Sequence, residues 1–361
     1  MTRIIPKVFL ILLIPVIWLG AAQNAAAREI IDMAGRTVTI PDTLKRVYTP
    51  SPPGGVLLYA LNPDAMGAFL GAFGGAWDGP REPRMESIPF IGINNYFGSL
   101  ASPEMLVQIN PDLHILFVRG PNPGDNGVRE NRSIENVQRY RTPYVFAFAK
   151  DLRDYPATCE FLGELLGTPE RGLALANYIR ATLKQTGEIV ARVPENRRPK
   201  VYYAGGDDGL TTVKMDTPHG VYFELAGNVG MADFEPRMAE PYVNFHVNIS
   251  FEHVLAYDPD VIVVMEPAFR DKIYADPKWQ KITAVQNQRI LFIPRGPFNW
   301  MDRPPSVMGV LGLKWLLSEI YPEFYPDDIA AEAVEFYHDF LWSDITYDEM
   351  RARLNACRIT R

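Results

Sequence analysis

Two of the five histidines, His219 and His246, stand where predicted strands of the second half of the chain give way to loops. Together with Asp207 or Glu266 they would offer the nitrogen and oxygen donors that bind a divalent metal ion. Their spacing does not match HxxxH or HExxH, the patterns in which one helix presents two metal ligands. A metal site is therefore one hypothesis for this region.

Aromatic and charged residues also stand where predicted strands run into loops, and such positions usually line a ligand cleft. Tyr and Trp offer flat apolar faces to a planar ligand, and Arg can hold anionic oxygens. For each aromatic residue, packing beneath a loop is the alternative. The candidate ligand-binding residues are Pro53, Trp77, Tyr96, Arg119, Asp207, His219, Tyr242, Asn299, Trp300 and Arg303.

The sequence gives little support to catalysis. It contains no GxSxG, no P-loop and no GxGxxG after a predicted strand. Asp207 and Asp208 are adjacent, so on a strand their carboxylates would point to opposite faces. We therefore expect no enzyme activity, no catalytic residue and no resident cofactor or metal, and we regard an exported hydrolase as the disfavoured reading.

One pattern of residues occurs twice: a Ser two residues before a Glu, a Pro-Asp pair beginning seven residues after that Glu, and an apolar run. The two copies are Ser102-Pro-Glu104 with Pro111-Asp112, and Ser250-Phe-Glu252 with Pro259-Asp260. Each copy predicts a short helix capped by Ser, a turn that ends it, and a buried strand. Two copies indicate two similar α/β lobes, and a cleft between lobes is a usual site for small ligands.

The first 27 residues have the features of a secretory signal peptide. Arg3 and Lys7 provide a positive start, an apolar run covers 8–19, and three alanines at 25–27 suit cleavage. The run is shorter than the ~20 residues that a membrane-spanning helix needs. We expect residues 1–27 to be removed on export, with an uncleaved anchor as the alternative.

Charge, length and cysteine content limit the class of protein. The formal net charge of −7 becomes more negative once the leader is lost, which disfavours binding to nucleic acid. The chain of 361 residues is long enough for two domains with their own cores. Cys159 and Cys357 could pair in an oxidising compartment or remain buried free thiols, and the sequence leaves both possibilities open.

Predicted strands and helices alternate in both halves, which indicates α/β lobes with largely parallel sheets. A long helix is predicted over 168–194, between the two halves. We interpret it as a bridge between lobes, with packing inside one lobe as the alternative. Other predicted elements are a hairpin at 29–40, a loop at 119–131 and a helix at 272–284.

Several short segments, taken in order, carry a resemblance to a known family. They are the ten residues from Asp32 to Pro41, Leu58-Tyr-Ala-Leu-Asn-Pro63-Asp64, the two Glu-bearing copies, and the stretch from Asn299 to Leu316. Together they resemble the substrate-binding proteins of metal-chelate ABC importers, which deliver ferric siderophores, haem or cobalamin to a membrane permease. The resemblance covers nearly all of the chain after the leader.

The resemblance implies a fold of two Rossmann-like α/β lobes joined by a single long bridging helix, the class III periplasmic binding protein-like architecture. Applied to this chain, it gives a signal peptide, an N-terminal lobe, the helix and a C-terminal lobe. Their expected bounds are 1–27, 28–168, 169–194 and 195–361.

The resemblance also implies a function: capture of an iron or other metal chelate between the lobes, in the periplasm and as a monomer, with delivery to an ABC permease in the inner membrane. Glu104 and Glu252 match the carboxylates with which the family docks onto Arg residues of the permease. Alternatively, each Glu only complements the N-terminus of its helix. A free divalent metal-ion binding protein of similar fold and a ligand sensor are the alternative functions.

Overall fold

The structure is a computed structural model in which residues 26–71, 82–93, 103–118, 128–215, 217–227 and 246–360 are described. The elements of the first half are β1 (Ala27–Ile31), β2 (Thr37–Pro41), β3 (Val47–Tyr48), α1 (Pro52–Leu61), β4 (Phe69–Gly71), α2 (Pro83–Glu86), β5 (Phe90–Ile93), α3 (Pro103–Ile109), β6 (Leu113–Val118), α4 (Val128–Arg139), β7 (Tyr144–Phe148) and α5 (Tyr155–Leu165). Strands β3, β6 and β7 form a parallel sheet with β6 at its centre. Because α4 begins at Val128, the loop predicted over 119–131 is too long, and residues 119–127 lie outside the described residues.

The predicted hairpin at 29–40 is confirmed by the antiparallel pairing of β1 with β2. Gly35 lies in its turn with a φ of 76°, a conformation that glycine adopts without strain. The buried Asp32 carboxylate ties the hairpin to β7, since it pairs with Arg36 and accepts the N–H of Phe146 at 3.1 Å. These contacts cover the outer edge of β7, which would otherwise present unpaired backbone groups.

The predicted long helix is confirmed as α6 (Pro169–Arg192). Near its start, Gly172 packs so closely on the backbone of Cys159 and Gly163 in α5 that a larger side chain would collide. Near its end, Arg192 donates to the carbonyl of Phe324 at 3.2 Å. The helix contacts elements of both halves, which favours its interpretation as a bridge.

The second half contains a four-stranded sheet. Its elements are β8 (Val201–Ala204), β9 (Thr211–Val213), α7 (Val221–Leu225), β10 (His246–Asn248), α8 (Phe251–Tyr257), β11 (Val261–Val264), α9 (Pro267–Arg270), α10 (Thr283–Gln286), β12 (Ile290–Phe292), α11 (Gly309–Ile320), α12 (Ile329–Leu341), α13 (Tyr347–Ala356) and β13 (Arg358–Ile359). Strands β8, β11 and β12 are parallel, and β13 pairs antiparallel at the edge beside β12.

The prediction of a helix at 272–284 is wrong. A 3-10 turn at Trp279–Lys281 and the short α10 stand there instead. Pro277 has no N–H to donate to a helix and disfavours helical geometry in the residue before it. Trp279 is fully buried, so the apolar pattern around it reflects burial rather than a helix.

The two Glu-bearing units fold alike. Glu104 and Glu252 lie in the first turns of α3 and α8, and both are exposed. Each helix is followed by a residue in the left-handed conformation, Asn110 with φ 48° and Asp258 with φ 43°. The N–H of each of these residues bonds to the carbonyl four residues earlier, at 3.0 and 2.9 Å. The predicted helix and its stop are therefore confirmed in both copies.

The predicted Ser cap is not found in the second copy. Ser250 occupies the N-cap position of α8, but its hydroxyl lies 3.0 Å from His253 Nδ1 and makes no capping hydrogen bond to a backbone N–H. The imidazole one turn into the helix offers the hydroxyl another partner. Ser102, its counterpart, lies outside the described residues.

The Asp of each Pro-Asp pair connects its unit to the first strand of its own half. Asp112 Oδ2 accepts the N–H of Arg46, just before β3, at 2.9 Å. Asp260 Oδ2 accepts the N–H of Lys200, just before β8, at 2.8 Å. Beyond these contacts, β6 pairs with β3 and β11 pairs with β8, both in parallel. The repeat in the sequence thus extends to matching hydrogen bonds.

The C-terminal helices return to the first half of the chain. The hydroxyl of Tyr59 in α1 donates to the carbonyl of Leu341, and the indole N–H of Trp342 donates to the carbonyl of Tyr59, both at 3.2 Å.

The domain bounds expected from the sequence stay a prediction. Cys159 and Cys357 are buried free thiols, the second of the two possibilities. Among the described helices, none is long and apolar enough to pass through a lipid bilayer.

Candidate functional site

A buried cluster of polar side chains lies at the carboxyl ends of the parallel strands in the second sheet. Tyr203 is on β8, Asp302 is in the loop after β12, His219 precedes α7, and His246 begins β10. Asp302 Oδ1 faces His219 Nδ1, its Oδ2 lies 3.1 Å from His246 Nε2, and the Tyr203 hydroxyl donates to Oδ2. We call these four residues the Asp302 cluster.

The Asp302 cluster is almost removed from solvent, with 0% of the Asp302 side chain, 7% of His219 and 8% of His246 exposed. Burial alone would raise the pKa of Asp302, but the charges and hydrogen bonds of the two imidazoles hold that pKa well below its ordinary value. Burial and the nearby Asp302 charge raise the pKa of Tyr203. Asp302 is therefore a carboxylate, and Tyr203 a neutral donor.

Three members of the cluster have the donor atoms and proximity that a metal ion requires. One ligand atom each from His219, His246 and Asp302 lies within 4.8 Å of the others. Two imidazole nitrogens and one carboxylate oxygen are three of the four ligands of a tetrahedral zinc site, which leaves one position open. A metal ion would replace the hydrogen bonds that now join these side chains.

Asn299 holds Asp302 in position. Its Oδ1 accepts the N–H groups of Met301 and Asp302, both at 2.9 Å, so the side chain closes a turn in its own loop. Asn299 is itself 4% exposed, and its amide nitrogen lies 3.4 Å from Met265 Sδ. In this structure its contacts orient the cluster.

Trp300 lies in the core rather than at an open strand end. It is 1% exposed, and its indole N–H donates to the Tyr337 hydroxyl at 3.0 Å. Gly312 of α11 approaches the Trp300 backbone so closely that a Cβ there would collide with the Trp300 carbonyl. For each aromatic candidate, packing beneath a loop is the alternative to lining a cleft. The contacts of Trp300 in this structure match that alternative.

Arg303 and Glu266 form an ion pair beside the cluster. Arg303 Nη1 contacts Glu266 Oε1, and 25% and 20% of their side chains are exposed. The Arg303 N–H also donates to Asp302 Oδ1 at 2.7 Å. An anionic ligand that approached this guanidinium would compete with Glu266 for it.

Residues of both halves meet on the elements that carry the cluster. Phe298, in the loop of Asp302, stacks on Phe69 with ring centroids 5.9 Å apart and meets Tyr59 at 5.8 Å. Arg153, after β7, lies 3.2 Å from Glu224 of α7, the helix that follows His219. The loop of Asp302 and the helix after His219 thus both contact the first half of the chain. Ligands of open α/β folds bind beyond the carboxyl ends of the parallel strands, where this loop lies.

The remaining predicted ligand-binding residues are less informative. Pro53 lies partly buried in the first turn of α1, and Asp207 is exposed in the turn after β8. The candidates Trp77, Tyr96, Arg119 and Tyr242 lie outside the described residues.

The sequence patterns identify both histidines of the cluster but not their carboxylate. They suggest Asp207 or Glu266 as a partner, whereas the structure brings Asp302 to His219 and His246. The one local signal for Asp302 is the Asn three residues before it, since Asn favours turns that orient the following backbone. That signal predicts a turn and not a contact with distant histidines.

Comparison with known proteins agrees with this architecture. The chain matches the family model described as periplasmic binding protein over residues 98–296. An ABC transporter solute-binding protein from Sulfurospirillum deleyianum is 27% identical with a TM-score of 0.79, over 91% of this chain and 99% of that one. A periplasmic solute-binding protein from Veillonella parvula, 20% identical, has a TM-score of 0.70 over 92% of this chain and 98% of that one.

A further similar structure is the molybdate periplasmic binding protein MolA of a Haemophilus influenzae ABC transporter. It is 20% identical with a TM-score of 0.68, over 88% of this chain and 99% of that one, and it was solved bound to molybdate. No curated protein matches the chain.

The chain belongs to the periplasmic binding protein family. The family consists of solute-binding proteins of transport systems, and it is not an enzyme family. The predicted fold class, two α/β lobes of the class III periplasmic binding protein-like kind, is confirmed, as is the resemblance to binding proteins of metal-chelate importers.

Proposed function

We propose that this chain is the substrate-binding component of an ABC importer and that it captures a metal chelate between its lobes. The observation that carries the proposal is the Asp302 cluster, where two imidazoles and a carboxylate are buried together at the carboxyl ends of parallel strands. Three protein donors leave at least one coordination position of a metal open. An organic chelator is suited to fill what remains.

The chemistry around the cluster favours a chelate with negatively charged oxygens, such as a ferric siderophore, over haem or cobalamin. The guanidinium of Arg303, which pairs with Glu266 beside Asp302, would bind anionic oxygens in bidentate geometry where a ligand displaces that carboxylate. MolA, which shares the fold, was solved bound to molybdate, so one protein of this shape carries a metal-containing anion.

The proposal includes a location and a partner. Residues 1–27 direct export to the periplasm, where the chain acts as a monomer and needs no cofactor apart from its cargo. Glu104 and Glu252 then dock it to an ABC permease in the inner membrane. Their exposure on equivalent helices supports this role, because an exposed carboxylate can reach an Arg of a partner.

A second candidate function is the binding of a free divalent ion. The same cluster favours it, because His, His and Asp form a donor set that zinc accepts without a chelator. The candidates differ in what completes the coordination sphere: water or another protein donor for the free ion, and an organic ligand for the chelate.

The absorption spectrum and metal content of the protein purified from the periplasm test the proposal first. Calorimetric titrations with ferric siderophores, haem, cobalamin and free divalent ions then rank the ligands. We expect a His219→Ala, His246→Ala double variant to bind the best chelate at least about tenfold more weakly. His253→Ala, an exposed histidine on α8, is the control and should bind normally. Tight binding of a free ion with no response to any chelate would favour the second candidate.

A further inference from the structure

Val107 and Leu255 are exposed hydrophobic residues at equivalent positions of the two Glu-bearing helices. Val107 has 69% and Leu255 has 42% of its surface exposed, which places both among the large exposed hydrophobic residues of the described chain. Val107 follows Glu104 by three residues in α3, and Leu255 follows Glu252 by three in α8. Residues three apart share a helix face, so each helix presents a carboxylate and an apolar side chain together.

The inward faces of the two helices also match. Leu106 of α3 is 6% exposed and Val254 of α8 is 0% exposed, and each stands two residues after the Glu of its helix. Each inward residue anchors its helix to the sheet beneath it, so the outward pair is presented from a supported backbone. The equivalence therefore covers the helix, its anchor and its outer face.

A single exposed hydrophobic side chain needs no explanation, because such residues are common on protein surfaces. Here the same exposure recurs at the same position of two copies of one unit, and each time it lies beside an exposed carboxylate. Nothing in the packing of either unit requires an apolar residue there, since neither side chain is buried. The recurrence points to a partner that both copies contact in the same way.

We propose that Glu104 with Val107, and Glu252 with Leu255, form two equivalent contacts with the membrane permease. In each contact the carboxylate meets a cationic side chain, and the apolar side chain enters an apolar pocket beside that cation. The inference rests on the proposed function and adds to it the apolar part of the docking surface. Because the two contacts share one chemistry, the permease presents the complementary surface twice.

The two parts of each contact have different physical roles. An exposed carboxylate attracts its cationic partner over a distance, which speeds association, and salt screens this attraction. An apolar side chain contributes only when water is expelled from it, so it slows dissociation and is insensitive to moderate salt. An anionic lipid surface is a poor alternative partner, because it would repel both carboxylates.

The test uses the full mature chain and its permease in lipid nanodiscs, with association and dissociation followed by surface plasmon resonance. We expect a Val107→Ser, Leu255→Ser variant to bind at least about tenfold more weakly, through faster dissociation, with an unchanged dependence on salt. A Glu104→Ala, Glu252→Ala variant should lose both affinity and salt dependence. Leu173→Ser, which changes a leucine that is 49% exposed on α6, is the matched control and should bind like the unmodified chain.

The outcomes separate this inference from the proposed function. If the unmodified chain does not bind the permease, both are overturned. If the Glu variant loses binding while the Val107→Ser, Leu255→Ser variant binds within about twofold of the unmodified chain, only the apolar contact is overturned. Equal binding to empty nanodiscs would assign the surface to lipid. The surface would be assigned to a second copy of the chain if sedimentation showed concentration-dependent self-association and the Val107→Ser, Leu255→Ser variant abolished it. Either result overturns the inference.

Discussion

Arg153 and Glu224 form an ion pair, 3.2 Å between Nη1 and Oε1, that joins the segment after β7 to α7. Arg153 is also held within its own half by Asp151, whose carboxylate lies 2.7 Å from Nη2. The side chains of Arg153 and Glu224 are 46% and 44% exposed, and ion pairs this open contribute only ~0–1 kcal/mol. The contact between the halves can therefore break and re-form at little cost.

We expect the lobes to move little when cargo binds. A single helix, α6, joins the halves and packs on both, and one packed helix has less freedom to bend than a hinge of two or three extended strands. Small-angle scattering profiles of the free and the cargo-loaded protein should nearly overlay. Glu224→Gln, which removes one charge of the pair, should leave the radius of gyration unchanged. A large fall in the radius of gyration on loading would contradict this prediction.

Replacing both docking carboxylates should separate binding from delivery. In a Glu104→Ala, Glu252→Ala variant we expect cargo affinity to be unchanged, because both side chains are exposed in the first turns of α3 and α8 and neither belongs to the Asp302 cluster. Uptake of the cargo by cells should be abolished, since the charge-assisted contacts to the permease are lost. Glu195→Ala, at another exposed carboxylate, is the control. Normal uptake by the double variant would show that these carboxylates do not dock.

A buried histidine in the first sheet gives a prediction about pH. His114 is 0% exposed, and within the described part of the chain neither of its ring nitrogens has a hydrogen-bond partner. Its ring lies between Tyr48, at 5.7 Å, and Tyr140, at 6.2 Å. Burial lowers the pKa of His114 from 6.5 to about 4, because the charged form has lost its hydration.

The unfolded chain binds a proton at His114 between pH 6.5 and pH 4, whereas the folded protein does not, so the free energy of unfolding should rise with pH across this window. The stability is fully present above pH 6.5 and is lost as the pH falls towards 4. The difference corresponds to roughly 3–4 kcal/mol as an upper bound. Urea unfolding of the unmodified chain and of His114→Leu from pH 4.5 to 7 should show a smaller slope in the variant, and equal slopes would refute the prediction.

The parts of the fold that the sequence predicts are those specified locally. The two Glu-bearing units are predictable because Asn110 and Asp258 tolerate the left-handed conformation, and the Pro that follows each of them disfavours a continued helix. The bridging helix α6 is predictable because its apolar residues keep helical spacing over many turns. In each case the physical cause lies within a few residues of its effect.

The candidate site depends on contacts that no local pattern records. Asp302 is separated from His219 by 83 residues and from His246 by 56, and only the sheet topology brings them together. The same limit affects aromatic residues, since a Trp in a loop can face a cleft or the core. Trp300 faces the core because α11 packs directly over its backbone, which the loop sequence does not reveal.

Asp302 offers the sharpest test of the cluster. It is a fully buried carboxylate that accepts hydrogen bonds from Tyr203 and the Arg303 backbone and contacts both imidazoles. Asp302→Asn keeps the shape, but it removes the charge that both imidazoles face and gives one of them an amide N–H in its place. Because a buried network loses a partner and gains a mismatched group, we expect the free energy of unfolding to fall by about 2–4 kcal/mol.

The same substitution should weaken binding of the preferred metal chelate, because it replaces an anionic oxygen donor with a neutral amide oxygen. Urea unfolding and calorimetric titration measure the two effects separately. Asp344→Asn is the matched control: its carboxylate is exposed in the same half of the chain, so we expect a stability change within about 0.5 kcal/mol and unchanged binding. If Asp302→Asn binds the chelate as tightly as the unmodified protein while it is destabilised, the carboxylate only orients the imidazoles. If it is destabilised no more than Asp344→Asn, the cluster does not stabilise the fold.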